Sequence, residues 1–357
     1  MINVTKSHLP DINKYKKYID KIFESGWLTN NGQFVQELQR RLEEYLGVKN
    51  LVLVSNGTLA LQIAYKALEL KGEVLTTPFS FAATSSSLVW EGLRPKYVDI
   101  DRETFNMDYS KISCLIEDET CAIVPVHVFG NACEIDKIEN IAKQHKLKVI
   151  YDAAHAFGVN YKGKSILSYG DISTISFHST KLFHTIEGGA IVVNNDELYE
   201  KVKVMVSFGI RDGERVEILG TNSKMNEFQA AMGLCVLDNM QDILDGRKRV
   251  YDYYANNLPK ELQLQKQNIH STPNYAYFPV VFDSEETLLR AKENLNQNQI
   301  NPRRYFYPSL NTLPYISKKF VVPVSSSISS RILCLPIYDT LGEKELDNII
   351  RILKEVI

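Results

Sequence analysis

A lysine among hydroxyl and imidazole side chains is the most chemically suggestive feature of this sequence. Lys181 lies in the stretch ISFHSTKLFHTIEGGAIVVNN, which runs from residue 175 to residue 195. An apolar, β-branched run precedes the polar cluster, and a Gly-Gly pair and a second β-branched run follow it. A lysine held in a partly buried pocket can lose its proton and attack aldehydes and ketones. The alternative is a surface lysine whose alkyl chain covers apolar neighbours, which is the usual fate of lysine.

A carboxylate follows another β-branched run, in the stretch VIYDAAHAFG. Asp152 comes directly after that run, and His155 comes three residues later. A carboxylate at the end of a buried strand is costly unless a cation or hydrogen-bond donors meet it. Because aspartate is also a favoured helix N-cap, a capping role beside a surface histidine is an equally good interpretation.

A candidate phosphate site lies in the stretch SNGTLALQIA, residues 55–64. A strand-like run ends there, Gly57 permits a close backbone approach, Thr58 adds a hydroxyl, and a helix-like run begins. The free N–H groups of a helix N-terminus bind anions. An ordinary capped helix would look much the same. The Gly-Lys-Ser/Thr ending of a nucleotide-triphosphate loop is missing.

The three clusters together predict a site for pyridoxal 5′-phosphate. That cofactor needs an amine for its aldehyde, a carboxylate for its protonated ring nitrogen and an anion site for its phosphate. Phe81, in TTPFSFAATSSS, is a candidate to stack on the ring, and Ser176 is a candidate phosphate donor.

Alternating strand-like and helix-like runs between about residues 51 and 195 would position these groups. The strand-like runs are LVLVS, EVLTTP, PKYVDI, CAIVPVHVFG, LKVIYDAAHA, ISTISFHS and GAIVVNN. Such alternation predicts an α/β fold, with a mainly parallel sheet and helices on both faces. Ligands of these sheets bind at the carboxyl ends of the strands, where each of the three clusters lies.

The rest of the chain predicts flanking helices and a smaller C-terminal α+β domain. Helical spacing of apolar residues is present at 11–25, at 33–46, and from Met225 to about Leu258. Beyond Pro259, YAYFPVVF and RILCLPIY are strand-like, and helices are expected near 285–297 and 343–356. We therefore expect a large cofactor-binding domain at 1–240 and a small domain at 241–357.

Composition excludes several classes of function. The chain has 357 residues, is 44% hydrophobic and carries a formal net charge of −2, so it has material for a sizeable core. Near-neutral charge argues against binding of nucleic acid or of an anionic membrane. The densest basic group, Arg247-Lys248-Arg249, is typical of a solvated helix face.

The cysteines and the N-terminal stretch favour a cytoplasmic protein. The five cysteines are odd in number and no pair has CxxC spacing, so reduced thiols are expected and neither a disulfide framework nor a metal site is indicated. The first residues lack an apolar signal core, and no run approaches the length of a membrane span. We expect a soluble, cytoplasmic protein.

An ordered set of motifs resembles the DegT-type sugar-nucleotide aminotransferases, a family with the aspartate-aminotransferase fold (fold type I of the pyridoxal-phosphate-dependent transferases). The resemblance covers nearly the whole chain. Its motifs are GWLTNNGQFVQELQRRLEEYLG at 26–47, SNGTLAL at 55–61, TTPFSFAAT at 76–84, DAAHAFG at 152–158, SFHSTKLFHTIEGGAIV at 176–192, GTNSKMNEFQAAMGL at 220–234 and LPIY at 335–338.

The resemblance implies a role for each matching residue. Lys181 would form the Schiff base with pyridoxal 5′-phosphate, and Asp152 would pair with the ring nitrogen. Phe81 and His155 would flank the ring. Asn222 would reach the phosphate of the neighbouring subunit's cofactor, because the family shares its sites across a homodimer. The phosphate would be held by Gly57, Thr58 and Ser176.

The resemblance also implies a substrate class. The stretch SFHSTKLFHTIEGGA is similar to SFHATK…EGGA of family members that aminate the 4-position of dTDP-4-keto-6-deoxyglucose, with L-glutamate as the usual donor and 2-oxoglutarate as its product. We expect residues 182–187 to line the mouth of the pocket and set this selectivity. Members that aminate the 3-position commonly have SFYPGKNLGA instead. Amination at the 3-position, a GDP- or UDP-linked sugar, and a non-catalytic cofactor-binding regulator stay open as alternatives. A deoxygenating branch has histidine in place of the lysine, so Lys181 disfavours it.

Overall fold

The computed structural model describes residues 1–316 and 318–357. The α-helices within these ranges are α1 (Ile12–Ser25), α2 (Gln33–Leu46), α3 (Gly57–Ala67), α4 (Ala82–Trp90), α5 (Ile135–His145), α6 (Asp196–Met205), α7 (Glu227–Leu237), α8 (Met240–Asn257), α9 (Glu285–Gln297), α10 (Pro323–Arg331) and α11 (Glu343–Val356). The strands are β1 (Ile2–Asn3), β2 (Leu51–Val54), β3 (Glu73–Thr76), β4 (Arg94–Tyr97), β5 (Thr120–Val124), β6 (Lys148–Asp152), β7 (Asn160–Tyr161), β8 (Lys164–Ser165), β9 (Ile172–Ser176), β10 (Gly189–Val193), β11 (Ile210–Arg211), β12 (Arg215–Val216), β13 (Gln263–Leu264), β14 (Pro279–Val281), β15 (Ile300–Asn301) and β16 (Ile332–Cys334).

A central sheet has the strand order β2-β10-β9-β6-β5-β3-β4. The pairs β9–β6, β6–β5, β5–β3 and β3–β4 are parallel, whereas β10 is antiparallel to both β2 and β9. β2 therefore runs in the same direction as β9. The carboxyl ends of β2, β3, β6 and β9 consequently meet at one edge, and the predicted α/β fold with a mainly parallel sheet is confirmed.

Helices cover both faces of the sheet, as the alternating direction of strand side chains requires. On β2, Leu53 packs in one apolar cluster with Leu38 of α2, whereas Val52 and Val54 pack in a second cluster with Ala60 of α3. All four residues of β2 are buried in consequence. Because both faces of this strand are buried, every position is apolar, which explains the continuous apolar run in the sequence.

The C-terminal part forms a separate apolar cluster around the antiparallel sheet β13-β14-β16. Helices α8, α9 and α11 contribute its buried side chains, among them Val250, Leu288 and Leu346. β1 pairs in parallel with β15, so the first residues of the chain also pack on this C-terminal unit. The domain division at residue 240 stays a prediction.

The helical region predicted from Met225 to about Leu258 is confirmed, whereas the prediction that Arg247 lies on a solvated helix face was wrong. The region contains two helices, because α7 ends at its C-cap residue Asp238 and α8 begins after its N-cap residue Asn239. Arg247 is only 3% exposed, since it lies on the same face of α8 as Ile243 and Val250. Its guanidinium donates to the carbonyl of Ala276 at 3.2 Å, and burial lowers its pKa to about 10.

The described residues contain no helix that combines the length and the apolar composition needed to cross a membrane.

Candidate active site

A cavity of about 250 Å³ opens at the edge where the parallel strands end. Segments that follow β2, β3, β6 and β9 form one side of it, and segments of the C-terminal unit form the other. The sequence-predicted residues that line it are Gly57, Thr58, Phe81, Asp152, His155, Ser176 and Lys181. The strands thus bring together seven residues from four separate segments of the sequence.

Lys181 lies in the segment between β9 and β10 and points its amine into this cavity. Nζ donates a hydrogen bond to the hydroxyl of Tyr277 at 3.2 Å. Burial lowers the pKa of Lys181 to about 8, and the nearby charge of Arg303 acts in the same direction. A larger share of the amine is therefore neutral, and so nucleophilic, than for a lysine in water.

Asp152 ends β6 and is only 5% exposed. Oδ1 accepts from the backbone N–H of Ala154 at 3.1 Å, and Oδ2 accepts from the hydroxyl of Thr84 at 2.9 Å. Burial raises the pKa of Asp152, although these two hydrogen bonds and the charge of Lys181 act to lower it. Within the described ranges no cationic side chain lies within salt-bridge distance of the carboxylate. A cation placed here would relieve the cost of burying its charge.

The N-terminus of α3 forms the predicted anion site. The side chain of Asn56 caps the helix by accepting from the N–H of Leu59 at 2.9 Å, which leaves the first-turn N–H groups of Gly57 and Thr58 without intrahelical partners. A Cβ on Gly57 would lie 2.9 Å from the Cβ of Ser176. Glycine is therefore required for the helix start to approach the end of β9 so closely.

His155 belongs to an aromatic wall rather than to the surface. Its Nδ1 accepts from the N–H of Phe129 at 3.2 Å, which assigns the ring proton to Nε2. Burial, and to a lesser extent the charge of Lys181, lowers the pKa of His155 well below its ordinary value, so the ring is neutral. Phe306 stacks on His155 at 5.6 Å between ring centroids, and Tyr277 meets it edge-on at 4.8 Å. Phe81 precedes α4 on another side of the cavity and is 52% exposed.

Further cavity residues were missed by the sequence analysis. They come from the C-terminal unit and are Tyr277, Arg303, Tyr305 and Phe306. The stretch RRYFYP at 303–308 carries a visible signal, because it places two arginines beside three aromatic residues. Its position far along the chain from Lys181 gave no reason to place it at the same site.

Arg303 supplies a positive charge beside the amine. Its guanidinium lies 4.5 Å from the ring centroid of Tyr305, and among the described residues its side chain makes no ion pair. An unpaired guanidinium in a cavity can bind a carboxylate or a phosphate. The cavity can therefore accept an anionic substrate near a nucleophilic amine.

Asn222 does not line the cavity of its own chain. It is exposed, forms an isolated bridge with Ser207, and its Oδ1 accepts from Lys224 Nζ at 2.8 Å. The next residue, Ser223, accepts at its carbonyl from the N–H of Ser55 at 2.7 Å, so the segment lies beside the anion site. The predicted role of Asn222 in a neighbouring subunit stays a prediction.

The expectation that residues 182–187 line the pocket mouth was wrong for most of that stretch. Leu182 and Phe183 are buried in the core, where Phe183 stacks on Phe157 at 4.6 Å between ring centroids. Their apolar side chains are drawn away from the polar cavity by the hydrophobic effect. Glu187 is the member of the stretch that does line the cavity, and its Oε1 lies 3.4 Å from Nε2 of His178.

The residues present fit pyridoxal 5′-phosphate. A depressed-pKa amine, a buried carboxylate without a cationic partner, a glycine-lined helix start and a flat neutral imidazole surround one cavity. The cofactor's aldehyde, ring nitrogen, phosphate and ring face need these four partners. This arrangement defines a pyridoxal-phosphate-dependent transferase.

The chain belongs to the DegT/DnrJ/EryC1/StrS aminotransferase family, whose model matches residues 11–354. The predicted family, transaminase class and cofactor are thereby confirmed.

Individual relatives cover almost all of the chain. It is 41% identical over 362 residues to the dTDP-4-amino-4,6-dideoxy-D-glucose transaminase of Shigella dysenteriae, with 99% of both chains covered. It is 30% identical to the GDP-perosamine synthase of Escherichia coli O157:H7, with 93% of both chains covered. Among solved structures, DesI, crystallised in the presence of its TDP-sugar product, superposes with a TM-score of 0.93 at 31% identity and covers 99% of this chain and 92% of its own.

Proposed function

We propose that this enzyme converts dTDP-4-keto-6-deoxy-D-glucose to the 4-amino sugar, with L-glutamate as the amino donor. The observation that carries the proposal is the 41% identity, over 99% of both chains, with a transaminase named for that product. Identity with the GDP-perosamine synthase is lower, at 30%, which favours a dTDP-linked over a GDP-linked sugar. A cytoplasmic location stays a prediction from the sequence.

The residues of the cavity divide the work between binding and proton transfer. Pyridoxal phosphate, when bound, supplies an aldehyde for the amino group and a protonated ring that draws electrons from the reacting carbon. The N–H groups of Gly57 and Thr58 and the hydroxyl of Ser176 would bind its phosphate. His155 and Phe81 would orient its ring.

Lys181 and Asp152 would control protons. The Lys181 amine, with its pKa near 8, can take a proton from the donor's α-carbon near neutral pH and later return one to the sugar carbon. Asp152 would hold the positive charge at the ring nitrogen through a charge-assisted hydrogen bond. The buried Asp152 carboxylate needs a cationic partner of this kind.

Position selectivity is the experiment that tests the proposed function. Whichever carbonyl carbon lies within roughly 3–3.5 Å of the amine reacts, and a hexose rotated to present another carbonyl moves its carbon by more than that tolerance allows. We expect turnover of dTDP-4-keto-6-deoxy-D-glucose and negligible turnover of its 3-keto isomer, with the position of the product amine assigned by NMR. Equal or higher kcat/KM for the 3-keto isomer would show that the proposed selectivity is wrong while leaving the aminotransferase assignment intact.

We also propose a homodimer with sites shared between subunits. Large apolar side chains support this, since Trp90 and Leu219 are 83% and 74% exposed and line the same depression as Thr221, the neighbour of Asn222. Exposed apolar patches of this kind mark interaction surfaces.

Mixed variants test the shared site. Lys181→Ala chains and Asn222→Ala chains, mixed and re-associated, should regain activity, because a hybrid dimer has one site with both residues intact. Each variant alone supplies the baseline, and sedimentation at the assay concentration gives the oligomeric state. A monomeric, fully active protein would exclude the shared site.

A further inference from the structure

We propose that Ser7 and His184 are positioning residues for Lys181, through which the first residues of the chain fix the amine in the active site. The N-terminal strap is defined as residues 2–8, and the lysine segment as residues 177–188, which connect β9 to β10. The proposal rests on the proposed catalytic role of Lys181, and it concerns a part of the chain outside the cavity.

The strap holds the lysine segment on both sides of Lys181. Ser7 Oγ donates to the carbonyl of Ser179 at 2.7 Å, two residues before the lysine. His184 Nε2 donates to the carbonyl of His8 at 2.8 Å, three residues after it. The donor assignment follows because His184 Nδ1 accepts from the N–H of Ile186 at 3.3 Å, which leaves the ring proton on Nε2.

The other end of the strap is attached to the C-terminal unit. Ile2 N–H donates to the carbonyl of Gln299 at 2.7 Å, and Ile337 N–H donates to the carbonyl of Val4 at 3.1 Å. His8 Nδ1 lies 2.8 Å from Oδ2 of Asp339. The C-terminal unit also supplies Tyr277 to the cavity, so the strap ties the lysine segment to the unit that carries the lysine's hydrogen-bond partner.

The lysine segment contains neither helix nor strand, so its position depends on the burial of Leu182 and Phe183 in the core and on side-chain and backbone hydrogen bonds. Its base is closed by two backbone hydrogen bonds, Phe177 N–H to Gly188 carbonyl at 2.8 Å and Thr185 N–H to Phe177 carbonyl at 2.9 Å. Ile186 has φ +70°, a conformation that is unfavourable for a β-branched residue and persists only where its surroundings enforce it. The His184 ring accepts from the N–H of Ile186 and donates to the strap, so it connects this strained residue to the N-terminal strap.

Loss of either tie should therefore slow the reaction without weakening substrate binding. A displacement of about 1 Å at a reacting group can cost on the order of 100-fold in rate. We expect Ser7→Ala to lower the maximal rate of the L-glutamate half-reaction about fivefold, and His184→Phe about 20-fold or more, on this scale. The glutamate concentration at half-saturation should change less than about twofold, because neither side chain lines the cavity.

The experiment measures three quantities on four variants. Single-turnover kinetics with pyridoxal phosphate and L-glutamate give the maximal rate and the half-saturating concentration. Deuterium exchange on the cofactor-free protein gives the exchange rate of residues 178–186, which does not depend on catalysis. His184→Gln, whose amide can still donate toward the strap, should recover part of the rate lost in His184→Phe. Ser330→Ala is the matched control, because Ser330 Oγ also donates to a backbone carbonyl, that of Ser327 at 2.9 Å, outside the strap and the lysine segment.

The expected result is faster exchange confined to the lysine segment in Ser7→Ala and His184→Phe, with a lower maximal rate in both. Rates within twofold of the unsubstituted protein would overturn the proposal, whether or not exchange increased. A change in half-saturation alone would also overturn it, since that indicates binding. If His184→Phe does not fold, Ser7→Ala and His184→Gln decide the question. Failure of the proposed catalytic role of Lys181 would show differently, as turnover that survives Lys181→Ala.

Discussion

Replacement of Lys181 by alanine is expected to abolish turnover while leaving the fold intact. The substitution removes both the amine that takes up the cofactor's aldehyde and the group that moves the proton. General acid–base catalysis alone contributes about 10²–10⁴-fold, and covalent catalysis adds to this. We therefore expect at least a 1000-fold loss, on the order of the upper part of that range, and loss of the visible absorbance of the lysine-bound cofactor.

The matched control is a lysine of the surface. Lys266 is 64% exposed and pairs with Glu103, so Lys266→Ala should retain activity within about twofold. Circular dichroism of both variants separates chemical loss from unfolding. Full turnover in Lys181→Ala would remove Lys181 from the centre of the mechanism.

Asp152→Asn is expected to retain the cofactor and lose most of the rate. Asparagine keeps the shape of the side chain and one acceptor oxygen for the N–H of Ala154, but a neutral amide does not hold a proton on the ring nitrogen. Removal of a charged partner at a reacting centre commonly costs about 10²–10³-fold. Both half-reactions should slow by at least about 100-fold, since both need the same electron sink.

Asp171→Asn provides the comparison for this substitution. Asp171 accepts from the N–H of Val149 at 2.9 Å just before β9, at the opposite edge of the sheet from the cavity. It should affect stability slightly and the rate not at all. A loss smaller than about threefold in Asp152→Asn, set against the range for charged partners, would mean that Asp152 only closes the local turn through Ala154.

The central sheet could be predicted from the sequence because each of its strands is recognisable from its own run of residues. Runs such as LVLV at 51–54 are apolar throughout, since both faces of the sheet are covered, and the helix-like runs between them follow at regular intervals. The same locality placed Asp152, Ser176 and Lys181 at strand ends. Pairing is not local, so nothing in GAIVV at 189–193 showed that β10 runs antiparallel between β2 and β9.

The far wall of the cavity could not be predicted because it depends on packing between distant segments. Tyr277 and Arg303 reach Lys181 only through the way the C-terminal unit meets the sheet edge. In the sequence, Arg247 belongs to a basic group that is typical of a surface. Its position on the inner face of α8 nevertheless buries it against the carbonyl of Ala276. The burial of Leu182 and Phe183 in the core could not be predicted either, since apolar residues beside a catalytic lysine fit either a pocket mouth or a core.

The L-glutamate half-reaction, compared between the unsubstituted protein and Lys181→Ala, is the sharpest test of a transaminase that acts through Lys181. With pyridoxal phosphate bound and no sugar present, the unsubstituted protein should form one 2-oxoglutarate per active site, with matching loss of the visible absorbance. The Lys181→Ala protein should form none above background in the same time. Cofactor binding by the unsubstituted protein without any 2-oxoglutarate, or equal amounts from both proteins, would contradict a transaminase that acts through Lys181.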